Sequence, residues 1–145
     1  MADVHTKEVR SYNMSQIRSK NTKPELIVRK YLFANGFRYR LHSKSLPGKP
    51  DIVLPKYKTV IFVHGCFWHG HNGCKYFVVP KTKTEWWLEK INGNIDRDKK
   101  KFSLLRKEGW KVITIFECRL KPKVRGITLS KILKQLNKVS NDNTN

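Results

Sequence analysis

The chain has 145 residues, enough for one compact core. Its 31 lysines and arginines stand against 11 acidic residues, a formal charge of +20 that opposes compaction and favours a polyanionic partner, nucleic acid first. No apolar run approaches the roughly 20 residues that span a bilayer, and the basic residues are spread rather than gathered on one amphipathic helix, so a membrane partner is not expected.

The opening "MADVHTKEVR" lacks the apolar core of a signal peptide, and the expected location is the cytoplasm. Residues 1–20 read as a basic N-terminal arm, residues 21–138 as a single domain and residues 139–145 as a polar tail. Thr22 and Glu25 have capping-box spacing with Pro24 in the first turn, which predicts a helix; Leu26, Ile27, Tyr31 and Ala34 give its apolar face and Gly36 its stop. In "FRYRL" Phe37, Tyr39 and Leu41 alternate with Arg38 and Arg40, the pattern of a half-buried strand. Ile52–Leu54 predicts a short strand, Pro55–Lys58 a turn, and Thr59–Val63 a β-branched central strand. Residues 64–81 look irregular. Thr82 and Glu85 repeat the capping-box spacing and open a helix that Asn92-Gly93 is expected to interrupt or kink, with Ile95, Phe102 and Leu105 continuing its stripe. "WKVITIFE" is a buried strand, and Leu129, Ile132, Leu133 and Leu136 mark a closing helix. This order predicts an α/β sandwich with a mixed sheet, the last strand parallel to an earlier one because a helix crosses over to it.

Cysteine usage is informative. Three cysteines in a chain expected to meet a reducing compartment read as metal ligands or free thiols rather than a disulfide framework. Cys66-x4-His71-x2-Cys74, joined by Cys118 just after a predicted strand, makes a Cys3His set with the composition of a closed structural zinc site. The spacing favours His71 over His69 as the fourth ligand. The bland alternative is a buried Cys118 with the other residues incidental.

"PDIVLPKYKTVIFVH" raises a second question. Pro-Asp before a strand, followed on the next strand by acid-x-Lys, would suggest a metal-dependent nuclease, yet Phe62-Val63-His64 occupies the second position. Together with "LPGKPDIVL", "VHGCFWHGH", "WWLEKINGNIDRD" and "GWKVITIFEC", the chain from about Arg10 to Lys121 resembles the very short patch repair (Vsr) endonucleases. The resemblance implies the fold of the PD-(D/E)xK restriction endonucleases, a three-layer α/β sandwich with a mixed central sheet and a structural zinc site. In that family Phe-x-His stands in place of acid-x-Lys. It also implies Mg2+ held by Asp51 and the backbone carbonyl of Val63, a position where the family often has Thr. One carboxylate suffices chemically, because Mg2+ takes few protein ligands and keeps waters and substrate oxygens.

His69 is the expected general base, with Asp98, selected over Asp96 by the resemblance, as its orienting carboxylate. His64 would stabilise phosphate charge or assist the base, and Glu25 is the acidic residue near the site. Each keeps a structural alternative: Glu25 as a cap, His64 as a satisfied sheet-end histidine, Asp98 as a salt-bridge partner on a lysine-rich helix. The resemblance assigns Phe67, Trp68 and Trp87 to insertion into the base stack, which leaves Trp86 to the core, and it brings Met14 on the N-terminal arm to the DNA. The implied substrate is double-stranded DNA with a T·G mismatch. A monomer is expected, with a functional link to a cytosine-5 DNA methyltransferase and contact with a mismatch-repair protein. Two other functions fit the same residues: a zinc-stabilised DNA-binding accessory protein without catalysis, and a restriction or homing-type nuclease. The extra residue in His71-Asn72-Gly73-Cys74 departs from the commonest family pattern.

Overall fold

The computed structural model describes residues 21–143, so the basic arm with Met14 lies outside the described residues. Helix α1 spans Lys23–Ala34, strand β1 Arg40–Leu41, β2 Ile52–Leu54 and β3 Thr59–His64, with a 3-10 turn at Pro55–Tyr57 between the last two. Helix α2 spans Thr84–Lys107, strand β4 Lys111–Phe116 and helix α3 Arg125–Asn143, with a second 3-10 turn at Glu117–Leu120. The sheet order is β1-β2-β3-β4. The first two pairings are antiparallel and β3–β4 is parallel, the crossover being α2.

Alternation across the strands builds a layer on each face. Ile52, Leu54, Ile61, Ile113 and Ile115 pack under α1 and α3, against Val28, Leu32, Leu129, Ile132 and Leu136. Val53, Val60 and Phe62 turn the other way and pack with Leu105, Phe102, Trp110 and Val112. The result is the three-layer α/β sandwich expected, with a mixed sheet in the middle. Among the described residues, no helix is long and apolar enough to cross a membrane.

Four local expectations are corrected. The buried stripe of α1 is Glu25, Val28 and Leu32, while Leu26 is half-buried and Ala34 exposed, so the stripe is rotated from the one read off the sequence. The strand in "FRYRL" shrinks to two residues, and Leu41 is 36% exposed, because β1 is an edge that pairs only with the start of β2. The Thr82–Glu85 capping box does not form: α2 starts at Thr84, its cap is Lys83 in the left-handed region, and the Thr84 hydroxyl turns back to the carbonyls of Pro80 and Lys81. Asn92-Gly93 does not break α2, which runs 24 residues without interruption. A helix glycine costs only about 1 kcal/mol relative to alanine, and burial of Ile91 and Leu105 on one face outweighs that cost.

Residues 65–83 hold no strand or α-helix, and tight turns organise the segment. His69 N–H donates to the Gly65 carbonyl at 3.2 Å and His71 N–H to Cys66 at 2.9 Å. At its centre Gly70 has φ +56° and rests on α2 so closely that a Cβ would meet Ile95 Cδ1 at 2.6 Å and Ile91 Cγ2 at 2.9 Å. Both backbone conformation and space therefore require glycine. Gly70→Ala is expected to cost about 2–4 kcal/mol, combining left-handed strain with overpacking. Urea unfolding of the variant checks this, and a change below about 0.5 kcal/mol would refute the close packing of the loop on α2.

Candidate active site

The antiparallel register of β2 and β3 brings the start of β2 to the end of β3, with Ile52 opposite Ile61. Asp51, one residue before β2, therefore meets Val63, and its Oδ2 accepts the Val63 N–H at 2.7 Å. A strand residue points its N–H and C=O to the same edge, so the Val63 carbonyl shares the Asp51 side of β3. On the other flank, β1 places His42 beside Asp51, and His42 N–H donates to the Asp51 carbonyl at 3.0 Å.

Glu25 enters from α1. It is 1% exposed because it shares the inward stripe with Val28 and Leu32. The capping box is only half formed: Thr22 Oγ1 accepts the Glu25 N–H at 3.4 Å, while the Glu25 carboxylate takes the N–H of Asn21 at 3.2 Å rather than that of Thr22. Arg29 Nη1 donates to Glu25 Oε2 at 3.1 Å, and His42 Nε2 lies 2.9 and 3.0 Å from its two oxygens. One donor atom each from Glu25, His42 and Asp51 lie within 4.8 Å of one another. Burial pushes the Asp51 carboxyl up to about 6; the Val63 N–H opposes this rise and the Glu25 carboxylate adds to it. A half-buried carboxylate facing a second acid, with its lone pairs only partly used, has the chemistry of a divalent-cation ligand.

The second constellation lies on the α2 side. His64 follows Val60 and Phe62 on that face and is 5% exposed. Its ring stacks on His69 with centroids 3.6 Å apart and planes 6° from parallel. His69 Nδ1 lies 2.7 Å from Asp98 Oδ2. Asp98 sits at the same helical phase as Ile91, Ile95, Phe102 and Leu105, which directs it inward, whereas Asp96 is exposed. Burial, then the neighbouring His69, pulls His64 down to about 4, so this ring is neutral at neutral pH. Burial alone would raise Asp98, but its hydrogen bond to His69 and the charge of that ring hold it below the ordinary carboxylate value. His69 is also near enough to act electrostatically on Asp51.

Cys66, His71, Cys74 and Cys118 place one donor atom each within 4.8 Å of one another. None of the cysteines is in a disulfide. His71 stacks on Phe116, 3.9 Å between centroids and 5° between planes, with Nδ1 3.4 Å from Cys118 Sγ. Burial pushes the Cys66 thiol up to about 12 and raises Cys118 as well. Three crowded thiols and an imidazole make a donor set that zinc fits, since the ion would take the thiolates and relieve the crowding. The extra residue before Cys74 is absorbed in a turn, with Gly73 at φ +74° and Cys74 N–H donating to the His71 carbonyl at 3.2 Å.

Phe67, Trp68 and Trp87 converge as an aromatic group, with centroids 5.2 to 5.9 Å apart. The expectation that Trp86 enters the core is overturned: it is 51% exposed, packed edge-on against Trp87. The helix turns Trp87 toward Phe67 and Trp68, and the neighbouring position, about 100° away, faces solvent.

Sequence reasoning missed His42, Arg29, Asn94 and Glu117. Asn94 Nδ2 donates to the Trp68 carbonyl at 2.9 Å, and Glu117 Oε1 accepts the Cys66 N–H at 3.3 Å. His42 lies 17 positions from Glu25, and only the β1–β2 register reveals the meeting. For Asp98 the signal was present, as a polar slot in an otherwise apolar stripe.

Comparison with known proteins agrees with this geometry. A family model described as DNA mismatch endonuclease Vsr matches residues 2–75. The chain is 55% identical over 123 residues to Type II nicking enzyme V.NmeAIP of Neisseria meningitidis, covering 85% of this chain and 87% of that one. It is 50% identical over 120 residues to Type II nicking enzyme V.XorIIP of Xanthomonas oryzae, covering 83% and 88%. It is 47% identical over 121 residues to DNA mismatch endonuclease Vsr of Escherichia coli K12, covering 83% and 77%. Among solved structures, the catalytic domain of homing endonuclease I-Bth0305I superposes with a TM-score of 0.51 at 24% identity, over 82% of this chain and 94% of that one, and this likeness bears on the fold. With Pro-Asp just before β2, a Phe-x-His end to β3 and identities of 47–55% across most of its length, the chain belongs to the DNA mismatch endonuclease Vsr family.

Proposed function

We propose that this protein hydrolyses one strand of duplex DNA beside a T·G mismatch, the lesion left when 5-methylcytosine deaminates, with Mg2+ as the catalytic ion. The observation that carries the proposal is the Asp51 carboxylate on the Val63 N–H, with the His69–Asp98 pair near enough for His69 to act on it electrostatically. Asp51 and the Val63 carbonyl would hold the ion, which when bound neutralises charge on the phosphoryl oxygens and aids departure of the leaving oxygen.

The remaining work belongs to side chains. Asp98 accepts the proton-bearing Nδ1 of His69, which fixes the tautomer and leaves Nε2 free to take a proton from the attacking water. Such a base is worth about 10²–10⁴ in rate. His64, stacked on that ring and uncharged, orients it and offers one N–H to a phosphate oxygen without adding a competing cation. Phe67, Trp68 and Trp87 would enter the base stack. Opening a base step costs a few kcal/mol, each stacked ring returns about 1–3 kcal/mol, and a mismatched step opens more readily than a paired one. Met14 and the basic arm would reach the duplex from another side, and Cys66, His71, Cys74 and Cys118 would bind zinc. Residues 21–138 form the endonuclease domain and act as a monomer. A cytosine-5 DNA methyltransferase would generate the need for the enzyme, and a mismatch-repair protein would act with it.

A DNA-binding accessory protein would have no use for an acid–histidine–acid arrangement, which favours the enzyme over that alternative. The deciding assay compares 5′-labelled T·G and C·G duplexes of one sequence at a single salt concentration, because binding will be salt-steep. Cleavage of one strand of the T·G duplex is expected. Cleavage of both strands of the C·G duplex would establish a restriction-type nuclease instead. Asp51→Ala is expected to keep duplex binding and lose Mg2+-dependent nicking, and nicking at the wild-type rate would remove Asp51 from the metal site. Cys118→Ser is expected to lower both zinc content and melting temperature, since a structural zinc supplies ~10 kcal/mol or more of folding free energy in small modules. Unchanged zinc stoichiometry in that variant would take Cys118 out of the cluster.

A further inference from the structure

The flank of Asp51 away from β3 holds a donor set that the proposed chemistry leaves unused. His42, at φ +47° after β1, directs Nε2 at both oxygens of Glu25, 2.9 and 3.0 Å away, while its backbone N–H ties it to Asp51 at 3.0 Å. In an octahedral shell with bonds of about 2.1 Å, neighbouring donors lie about 3.0 Å apart. The His42–Glu25 separation therefore suits two adjacent ligands of one ion as well as it suits a hydrogen bond. Glu25 retains coordinating capacity: Asn21 N–H uses one lone pair of Oε1 and Arg29 one of Oε2, leaving one on each oxygen toward His42. The charge balance points the same way. Two carboxylates, Glu25 at 1% exposure and the half-buried Asp51, meet one permanent cation, Arg29 at 3.1 Å from Glu25, besides the imidazoles of His42 and His69.

We propose that Glu25, His42 and Asp51 jointly ligate the divalent cation, and that the His42 imidazole makes this a mixed nitrogen–oxygen site favouring a first-row transition dication such as Mn2+ over Mg2+. Magnesium sites are built from oxygen and are completed by water and substrate phosphate, whereas a nitrogen donor favours the transition ions. With three protein donors the site loads its cation before DNA arrives. The inference rests on the assignment of Asp51 as a metal ligand.

The test uses zinc-loaded protein without DNA. Mn2+ is titrated in competition with Mg2+ and bound Mn2+ is read by electron paramagnetic resonance; a hard dication of this kind does not displace zinc from a thiolate set. Pulsed measurements should show coupling of Mn2+ to a directly bound imidazole nitrogen. In His42→Gln, which keeps a hydrogen-bond donor toward Glu25, that coupling should vanish and the preference for Mn2+ over Mg2+ should fall about tenfold or more. Absence of nitrogen coupling in the wild-type protein would overturn the inference independently of how any variant folds. Coupling and preference unchanged in His42→Gln, with Mn2+ binding lost in Asp51→Asn, would also overturn it while leaving Asp51 as a ligand. Mn2+ binding undisturbed in Asp51→Asn would place the ion elsewhere and remove both assignments.

Discussion

The contact between the Asp51 carboxylate and the Val63 N–H, at 2.7 Å, depends on one strand register. Ile52 sits opposite Ile61 and Leu54 opposite Thr59, so the residue before β2 falls near the end of β3, within reach of the Val63 N–H. A slip by one residue would reverse the faces of β2. Ile52 and Leu54 would leave the layer under α1 and α3, and Val53 would enter it. The apolar packing on both sides of the sheet thus protects the position of a carboxylate that contributes nothing apolar itself. The same register passes outward through β1, where Leu41 pairs with Ile52 and delivers His42 to the other flank of Asp51. A three-residue strand therefore aligns both flanks of Asp51.

Electrostatics sets the second constraint. Glu25 is buried because its helical phase matches Val28 and Leu32, and a buried carboxylate needs partners. It has them in Arg29, Asn21 and His42, and among the described residues no buried side-chain polar atom lacks a hydrogen-bond partner. Asp51 has less compensation, and its raised proton affinity follows. On the α2 side the balance is reversed: His69 stabilises the Asp98 carboxylate, while desolvation and that same ring keep His64 neutral. The two imidazoles are stacked 3.6 Å apart, so a charge on one disfavours a charge on the other.

The layered architecture was legible because it follows from patterns of period two and period 3.6, and the central strands and closing helix lie where those patterns place them. The Cys3His cluster was legible because three of its members are close in sequence. Chain punctuation was read less well. Asn92-Gly93 and Thr82–Glu85 are local signals, and tertiary packing of α2 overrode both. The wrong assignment of Trp86 has a similar origin: adjacent tryptophans must diverge, but sequence does not say which one meets the aromatic loop. His42 was not legible at all, since its role comes from a two-residue edge strand whose alternation broke down at Leu41.

Residues 65–83 have no ladder of backbone hydrogen bonds and little aliphatic burial, yet they carry Phe67, Trp68 and His69 in succession. Three restraints act on those residues from different directions: Asn94 on the Trp68 carbonyl, Asp98 on the His69 ring, and Gly70 seated against Ile91 and Ile95. All come from one face of α2, which also carries Trp87. On the other side the Cys3His cluster fastens the segment to the end of β4 through Cys118. The aromatic rings and the His69 imidazole are thus two parts of one body. On the proposed function, seating the rings in an opened base step and bringing Nε2 of His69 to the phosphodiester are a single docking event. A fully paired step resists opening, so it would bind with the rings outside the stack and with the imidazole displaced by the same amount. Discrimination would then arise in the position of the catalytic base as well as in affinity.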